Sequence, residues 1–224
     1  MPQNKDLKRL VRARMAETSE NYTQALTALL SETELDPLPD GWHMAGTRPA
    51  DYAAGLLPRG RAYDGKRVIQ LRFRAAEPPT GFGTVMQSID AERYRGRRVR
   101  FSAMIRGEEI GDWAGTWLRV DAANRTRALD NMSDRPLRGT AVWTESANVL
   151  DIDEDAASVH FGVLLSGAGA VDLARPRFEV VGAGIAVTAV SRPLAPEPQG
   201  FDFGVACPGR APGRARGALP TPAW

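Results

Sequence analysis

The spacing of apolar positions changes twice along the 224-residue chain. Over residues 5–31, Leu7, Leu10 and Val11, then Ala25, Leu26, Leu29 and Leu30, recur at three- and four-residue intervals, the period of an amphipathic helix. The polar stretch ETSENYT separates the two runs, and Ser19 or Asn21 within it can cap a second helix beginning near Tyr22. A short helix pair is therefore predicted. Asp36-Pro37-Leu38-Pro39-Asp40-Gly41 ends it, because each proline disfavours helix in the residue before it.

From about 41 to 182 the period is two. Strands are predicted over 67–74, 83–90, 98–106, 116–122, 142–152, 158–166 and 170–181, from alternation or from β-branched and aromatic content. Turn clusters such as Pro78-Pro79-Thr80-Gly81, Tyr94-Arg95-Gly96 and Ser166-Gly167-Ala168-Gly169 punctuate them. Short strands without intervening helices predict a mainly β protein, an antiparallel β-sandwich or barrel. After Gly182 the chain becomes rich in Ala, Pro, Gly and Arg, which predicts a disordered C-terminal tail. Three regions follow: a basic helical segment over 1–35, a β domain over 36–182, and a tail over 183–224.

Composition narrows the function classes. Lys plus Arg number 29 and Asp plus Glu 27; the tail carries the whole excess, since residues 1–182 balance at 25 against 25. Total charge therefore gives no reason to expect a nucleic-acid or anionic-membrane partner. A single cysteine, Cys207, excludes an internal disulfide framework, and two histidines argue against a multi-histidine metal centre. The opening MPQNKDLKRLVRARM is charged where a signal peptide needs apolar residues, so a cytoplasmic location is expected.

Alternation assigns faces. Val99, Phe101, Ala103 and Ile105 share one side of RVRFSAMIR, Leu118 and Val120 one side of TWLRVDA, and Val159, Phe161, Val163 and Leu165 one side of SVHFGVLLS; these predict the core. The opposite sides carry Arg100, Ser102, Met104, Trp117, Arg119, Asp121 and His160, with Gln87 joining from a neighbouring strand. An aromatic plane among hydrogen-bonding groups suits a concave ligand platform, and these eight residues are the candidate ligand-binding set. The plainer alternative is a half-exposed sheet face with a cross-strand charge pattern.

Asp130, Asn131 and Asp134 in LDNMSDRP offer oxygen ligands for a structural calcium ion, or else cap local Asx turns. Trp42, Trp113 and Trp143 read as core or edge packing, and His43 and Cys207 have no partner in local sequence. No nucleophile elbow, phosphate loop, zinc-protease motif or dinucleotide fingerprint is present. Lys5, Lys8, Arg9, Arg12 and Arg14 against Asp6 give a local charge of +4, enough for phosphate contacts. About thirty residues lack room for the third helix that a DNA-reading helix-turn-helix normally uses, so docking onto the sandwich or a dimer partner is the expected role.

The stretch GFGTVMQSIDAERYRGRRVRFSAMIRGEEIGDWAGTWLRVD, then ALDNMSDRPLRGTAVW and ASVHFGVLLSGAGAVDLARPRFEVV, resembles a bacterial galactose-binding, carbohydrate-binding-module type of jelly roll. Such modules are appended to AraC-type transcriptional regulators and to some hydrolases. The strings YRGRRVR, DNMSDRP and FGVLLSG carry the likeness over residues 41–182. The segment KDLKRLVRARMAETSENYTQAL resembles a short basic helical motif at the start of actinobacterial proteins. The resemblance implies a jelly-roll β-sandwich that binds a small molecule or sugar without catalysis, as a sensory module of a transcriptional regulator. Two alternatives stay open: a small-molecule enzyme using Asp121, Arg119 or His160, and a DNA- or protein-binding factor acting through the basic helix. No cofactor is expected beyond the calcium site, and a homo-oligomer is compatible with either helix role.

Overall fold

A computed structural model describes residues 3–26, 34–77 and 79–189. The chain divides into two units, Met1–Val190 and Ser191–Trp224, and the second, with most of the expected tail, lies outside the described residues. The N-terminus forms α1 (Gln3–Glu17), followed by a helical segment over 22–26. Asn21 is the cap: its Oδ1 accepts from Gln24 N at 2.9 Å, while Gln24 Oε1 accepts from Asn21 N at 2.9 Å. This reciprocal pair satisfies two backbone donors that a helix start leaves open.

Among the described residues nine strands follow: β1 (His43–Gly46), β2 (Tyr52–Leu56), β3 (Ile69–Phe73), β4 (Phe82–Asp90), β5 (Arg98–Ala122), β6 (Arg125–Asp130), β7 (Leu137–Asp151), β8 (Ala156–Ser166) and β9 (Ala170–Val181). All pair antiparallel, in the order β1-β4-β8-β5-β9-β3-β2, with β6 and β7 also on β5. The expected mainly β, jelly-roll sandwich is what the chain forms.

The element joining its layers is one the sequence pattern split in two. Residues 98–106 and 116–122 are not separate strands but the ends of the 25-residue β5. Its first half pairs with β7 and β9, its second with β6 and β8. The pairing with β7 slips three times between Ile105 and Ala114, and Glu109 there has φ +50°. Each extra residue bends a strand and reverses which side its side chains take. Core residues of β5 are accordingly odd-numbered through Ile105 (Val99, Phe101, Ala103) and even-numbered from Ile110 onward (Ala114, Leu118, Val120). Both halves thus face one core while belonging to two layers.

Phe161 of β8 packs across that core, with ring centroids 4.9 Å from Phe101 and 4.8 Å from Phe178, and Trp42 meets its edge at 6.2 Å. Offset and edge-on aromatic contacts of this kind add about 0.5–1.5 kcal/mol each beyond area burial. The predicted inward residues of β5 and β8 are all buried.

Residues 183–189, expected at the start of the tail, belong with the sandwich. Arg98 Nη1 donates to the carbonyls of Ala183 and Ile185 at 2.9 and 2.6 Å, Thr188 N donates to Val149 O at 2.9 Å, and Ala189 packs on the core.

Candidate functional site

The layer β1-β4-β8-β5-β6 presents an outer face that can be read as rows across three strands. Trp113, Ser166 and Phe82 form one row; Gly115, Leu164 and Thr84 the next; then Trp117, Gly162 and Met86; then Arg119, His160 and Ser88; and last Asp121, Ser158 and Asp90. The face is apolar and aromatic at one end and polar at the other. Its apolar part is a groove of about 570 Å³, walled by Ala45–Thr47 of the β1 side and by Leu129 and Asn131 of the β6 side, and extending to Arg119. That volume lies in the range of small-molecule sites.

Two glycines of this face allow close approaches beside the groove. A β-carbon at Gly162 would collide with the Val85 carbonyl oxygen. The Trp117 indole crosses β8 and donates from Nε1 to Thr84 Oγ1 of β4 at 2.8 Å. Thr84 donates its own hydroxyl proton to Val163 O at 2.8 Å, so this bond is fixed at both ends. Gly115 lies between the two tryptophans, where a β-carbon would come within 3.1 Å of Met132, and the wall formed by 131–132 closes down on that space.

Trp117 is 7% exposed, packed with Met86 and Leu164, so it forms the floor rather than a bare stacking plane. Trp113, read from sequence as packing, lines the groove and is only half-buried. Its signal was the W-A-G-T-W spacing, which keeps both tryptophans on one side of a strand, but only once β5 is known to begin well before Thr116.

At the polar end Arg119 Nη2 lies 2.9 Å from Asp121 Oδ2, which lies 3.3 Å from His160 Nε2. His160 Nδ1 is 2.8 Å from Ser88 Oγ and its Nε2 2.9 Å from Ser158 Oγ. Burial first, then the nearby Arg119 guanidinium, hold the imidazole below its ordinary pKa against the opposing pull of Asp121. The ring is therefore neutral at pH 7 and bridges the hydroxyls as donor on one side and acceptor on the other. Arg119 Nε and Asp121 Oδ1 are shielded from solvent with no hydrogen-bond partner among the described residues.

Of the eight candidate ligand residues, the structure brings together Trp117, Arg119, Asp121 and His160. Arg100, Ser102 and Met104 stand apart, on the outer face of the other layer, because the β5 bulges reverse the side they take. There Arg100 meets Glu145 and Glu179 at 3.5 and 3.3 Å, and Met104 packs beside Leu57, Val68 and Trp143. Gln87 is also separate: its register partner is Phe161, so it takes the core-facing side of β4, beside Gly41.

The oxygen ligands suggested for calcium have other partners. Asp130 accepts from Met132 N at 3.0 Å and Asn131 from Ser133 N at 3.2 Å, as in Asx turns, while Arg135 meets Asp130 at 2.6 Å and Asp134 at 2.8 Å. A guanidinium lies between the two carboxylates. Among the described residues no group of three His, Cys, Asp or Glu is placed to hold a metal.

On α1, Lys8, Arg9 and Arg12 are exposed, Arg14 pairs with Glu20 at 2.7 Å, and the Lys5 side chain is outside the described set. No helix among the described residues is long and apolar enough to cross a membrane.

Fold and groove together define an antiparallel β-sandwich with an aromatic-floored cleft on one sheet. No protein-family model matches the chain. It is 34% identical over 185 residues to the uncharacterized HTH-type transcriptional regulator YbfP of Bacillus subtilis (strain 168), an alignment covering 81% of this chain and 62% of that protein. Among solved structures, the CBM22-1 xylan-binding domain from Paenibacillus barcinonensis Xyn10C aligns at 14% identity over 66% of this chain and 90% of its own, with a TM-score of 0.45. The enzymatically active domain of bacteriophage CBA120 tailspike protein 4 aligns at 11% identity over 63% of this chain and 20% of its own, with a TM-score of 0.49.

Proposed function

We propose that this chain is a non-catalytic binding module, cytoplasmic, that holds a small molecule or carbohydrate in the groove on β4, β8 and β5. The observation that carries the reading is the grading of that face, from Trp113, Phe82 and Trp117 to Arg119, Asp121 and His160. Apolar faces of a sugar ring or metabolite match the first end, and hydroxyls or a carboxylate match the second. The 34% identity with an HTH-type regulator supports a sensory role within a transcription regulator.

The test is a thermal-shift screen of sugars and metabolites on the intact chain, with titration calorimetry on each hit. A ligand at a hundred times its dissociation constant adds about 2.7 kcal/mol. The expected result is a hit whose affinity falls at least tenfold in Trp113→Ala and in Arg119→Met. Hits that keep full affinity in both variants, or none across the panel, would overturn the reading.

One observation favours a second reading, hydrolysis. Ser88, His160 and Asp121 stand in sequence, at 2.8 and 3.3 Å, the order of a nucleophile, a base and an orienting acid. Against it, Asp121 is tied to Arg119, and the environment lowers rather than raises the imidazole basicity. Ester turnover abolished by Ser88→Ala and by His160→Gln would favour hydrolysis over plain binding.

A further inference from the structure

We propose that the groove is coupled to the C-terminal strap, residues 183–189, through the single carboxylate of Asp130, so that filling the groove tightens the strap and docking the strap tightens the groove. The inference rests on the binding reading above and adds its regulation.

The geometry has three parts. First, the groove wall and the carboxylate are consecutive residues: Leu129 and Asn131 line the groove, while Asp130 between them pairs with Leu118 and is buried, 4% exposed. Strand alternation makes the wall and the carboxylate opposite sides of one backbone, so neither moves alone.

Second, the strap is latched on that carboxylate. Thr188 Oγ1 donates to Asp130 Oδ2 at 2.5 Å and accepts from Val149 N at 2.6 Å, and Thr188 N donates to Val149 O at 2.9 Å. Third, Asp130 also holds the groove loop. It accepts from Met132 N at 3.0 Å and from Arg135 Nη2 at 2.6 Å, and Arg135 in turn donates to Ala147 O at 3.2 Å. Releasing Thr188 leaves a buried carboxylate short of one donor, which draws Arg135 and the 131–135 loop into new positions.

A strap held only by backbone packing would have no route to the groove. The Arg98 contacts to Ala183 and Ile185 are such an independent anchor, since Arg98 pairs with Asp151 and touches neither Asp130 nor the loop. Coupling free energies are reciprocal, so each side must report on the other.

The experiment is hydrogen–deuterium exchange on the intact chain without added ligand, comparing wild type with four variants. Thr188→Val removes the latch, and Thr188→Ser keeps its hydroxyl. Arg98→Met loosens the strap elsewhere, and Leu129→Ala alters only the groove wall. The expected result is an increase of at least fivefold in exchange at the amides of Met132 and Ser133 in Thr188→Val, with wild-type behaviour in Thr188→Ser. Arg98→Met raises exchange in the strap but not in the loop. Leu129→Ala raises exchange at Thr188. Amides of β8 report that each variant is folded.

An unchanged loop in Thr188→Val, or equal loosening of the loop by Arg98→Met, would overturn the coupling. Because no ligand is used, those outcomes are independent of the binding screen. A blank screen with the expected exchange pattern removes the ligand reading and leaves the mechanical link.

Discussion

The two outer faces of the sandwich each carry a cluster of tryptophan, arginine and aspartate, closed on one face and open on the other. On the β2-β3-β9-β5-β7 layer, Gln70, Asp172 and Arg106 form a row across three strands. Gln70 Nε2 donates to Asp172 Oδ1 at 2.9 Å, Arg106 grips Oδ2 from Nε at 3.0 Å and also from Nη2, and the guanidinium lies 5.1 Å from the Trp143 ring centroid. Leu57, Tyr63 and Val68 pack around that cluster. Trp, Arg and Asp there satisfy one another. On the groove layer, the equivalent Trp117, Arg119 and Asp121 lie along one strand instead of across three, and Arg119 Nε and Asp121 Oδ1 find no hydrogen-bond partner among the described residues. Arrangement, not composition, separates the closed cluster from the open one.

The sharpest way to break the comparison is Trp117→Ala, which removes the groove floor. It should cost about 3–5 kcal/mol in urea unfolding and abolish ligand binding together. Asp172→Ala in the closed cluster should cost about 3 kcal/mol, because it strands Arg106 beside an apolar cluster, with ligand affinity unchanged in calorimetry. A fall in affinity there would mean that the faces are not independent. Trp143→Leu should cost about 1 kcal/mol, mostly the cation–π contact and edge packing, again without affecting the groove.

The smallest effect expected is a pH slope. The folded His160 has a lowered pKa, so the unfolded chain binds its proton more tightly. Its contribution is fully present above the ordinary histidine pKa of about 6.5 and is lost as pH falls from there through the lower folded value. Stability should decline over that window in wild type and less so in His160→Gln, a difference measurable from urea midpoints.

Local pattern was reliable where neighbours in sequence decide the outcome. The bounds of β9 match the expected 170–181 strand, and Asn21 caps the second helical segment as its chemistry allows. Core parity was legible within each predicted strand of β5 and β8. It failed across the GEEIGDWAG segment, where a turn-like composition conceals bulges inside one long strand. That one misreading scattered the candidate site, adding Arg100, Ser102 and Met104 and setting Trp113 aside. Gln87 was misplaced for a different reason: it shares its side of β4 with the core residues Val85 and Ile89, an alternation readable within the strand itself.

The sequence by itself determined the mainly β, antiparallel class, the inward set Phe101, Leu118, Val120 and Phe161, and the tryptophan, arginine and aspartate alternation of 117–121. Only the tertiary structure decided which layer each half of β5 enters, that Trp117 reaches across β8 to Thr84, and that Asp130 accepts from both Met132 of the groove loop and Thr188. The physical reason is range. Alternation within a strand follows from backbone geometry at adjacent residues, whereas these contacts join positions 33 and 58 residues apart and depend on a bulge that reverses parity.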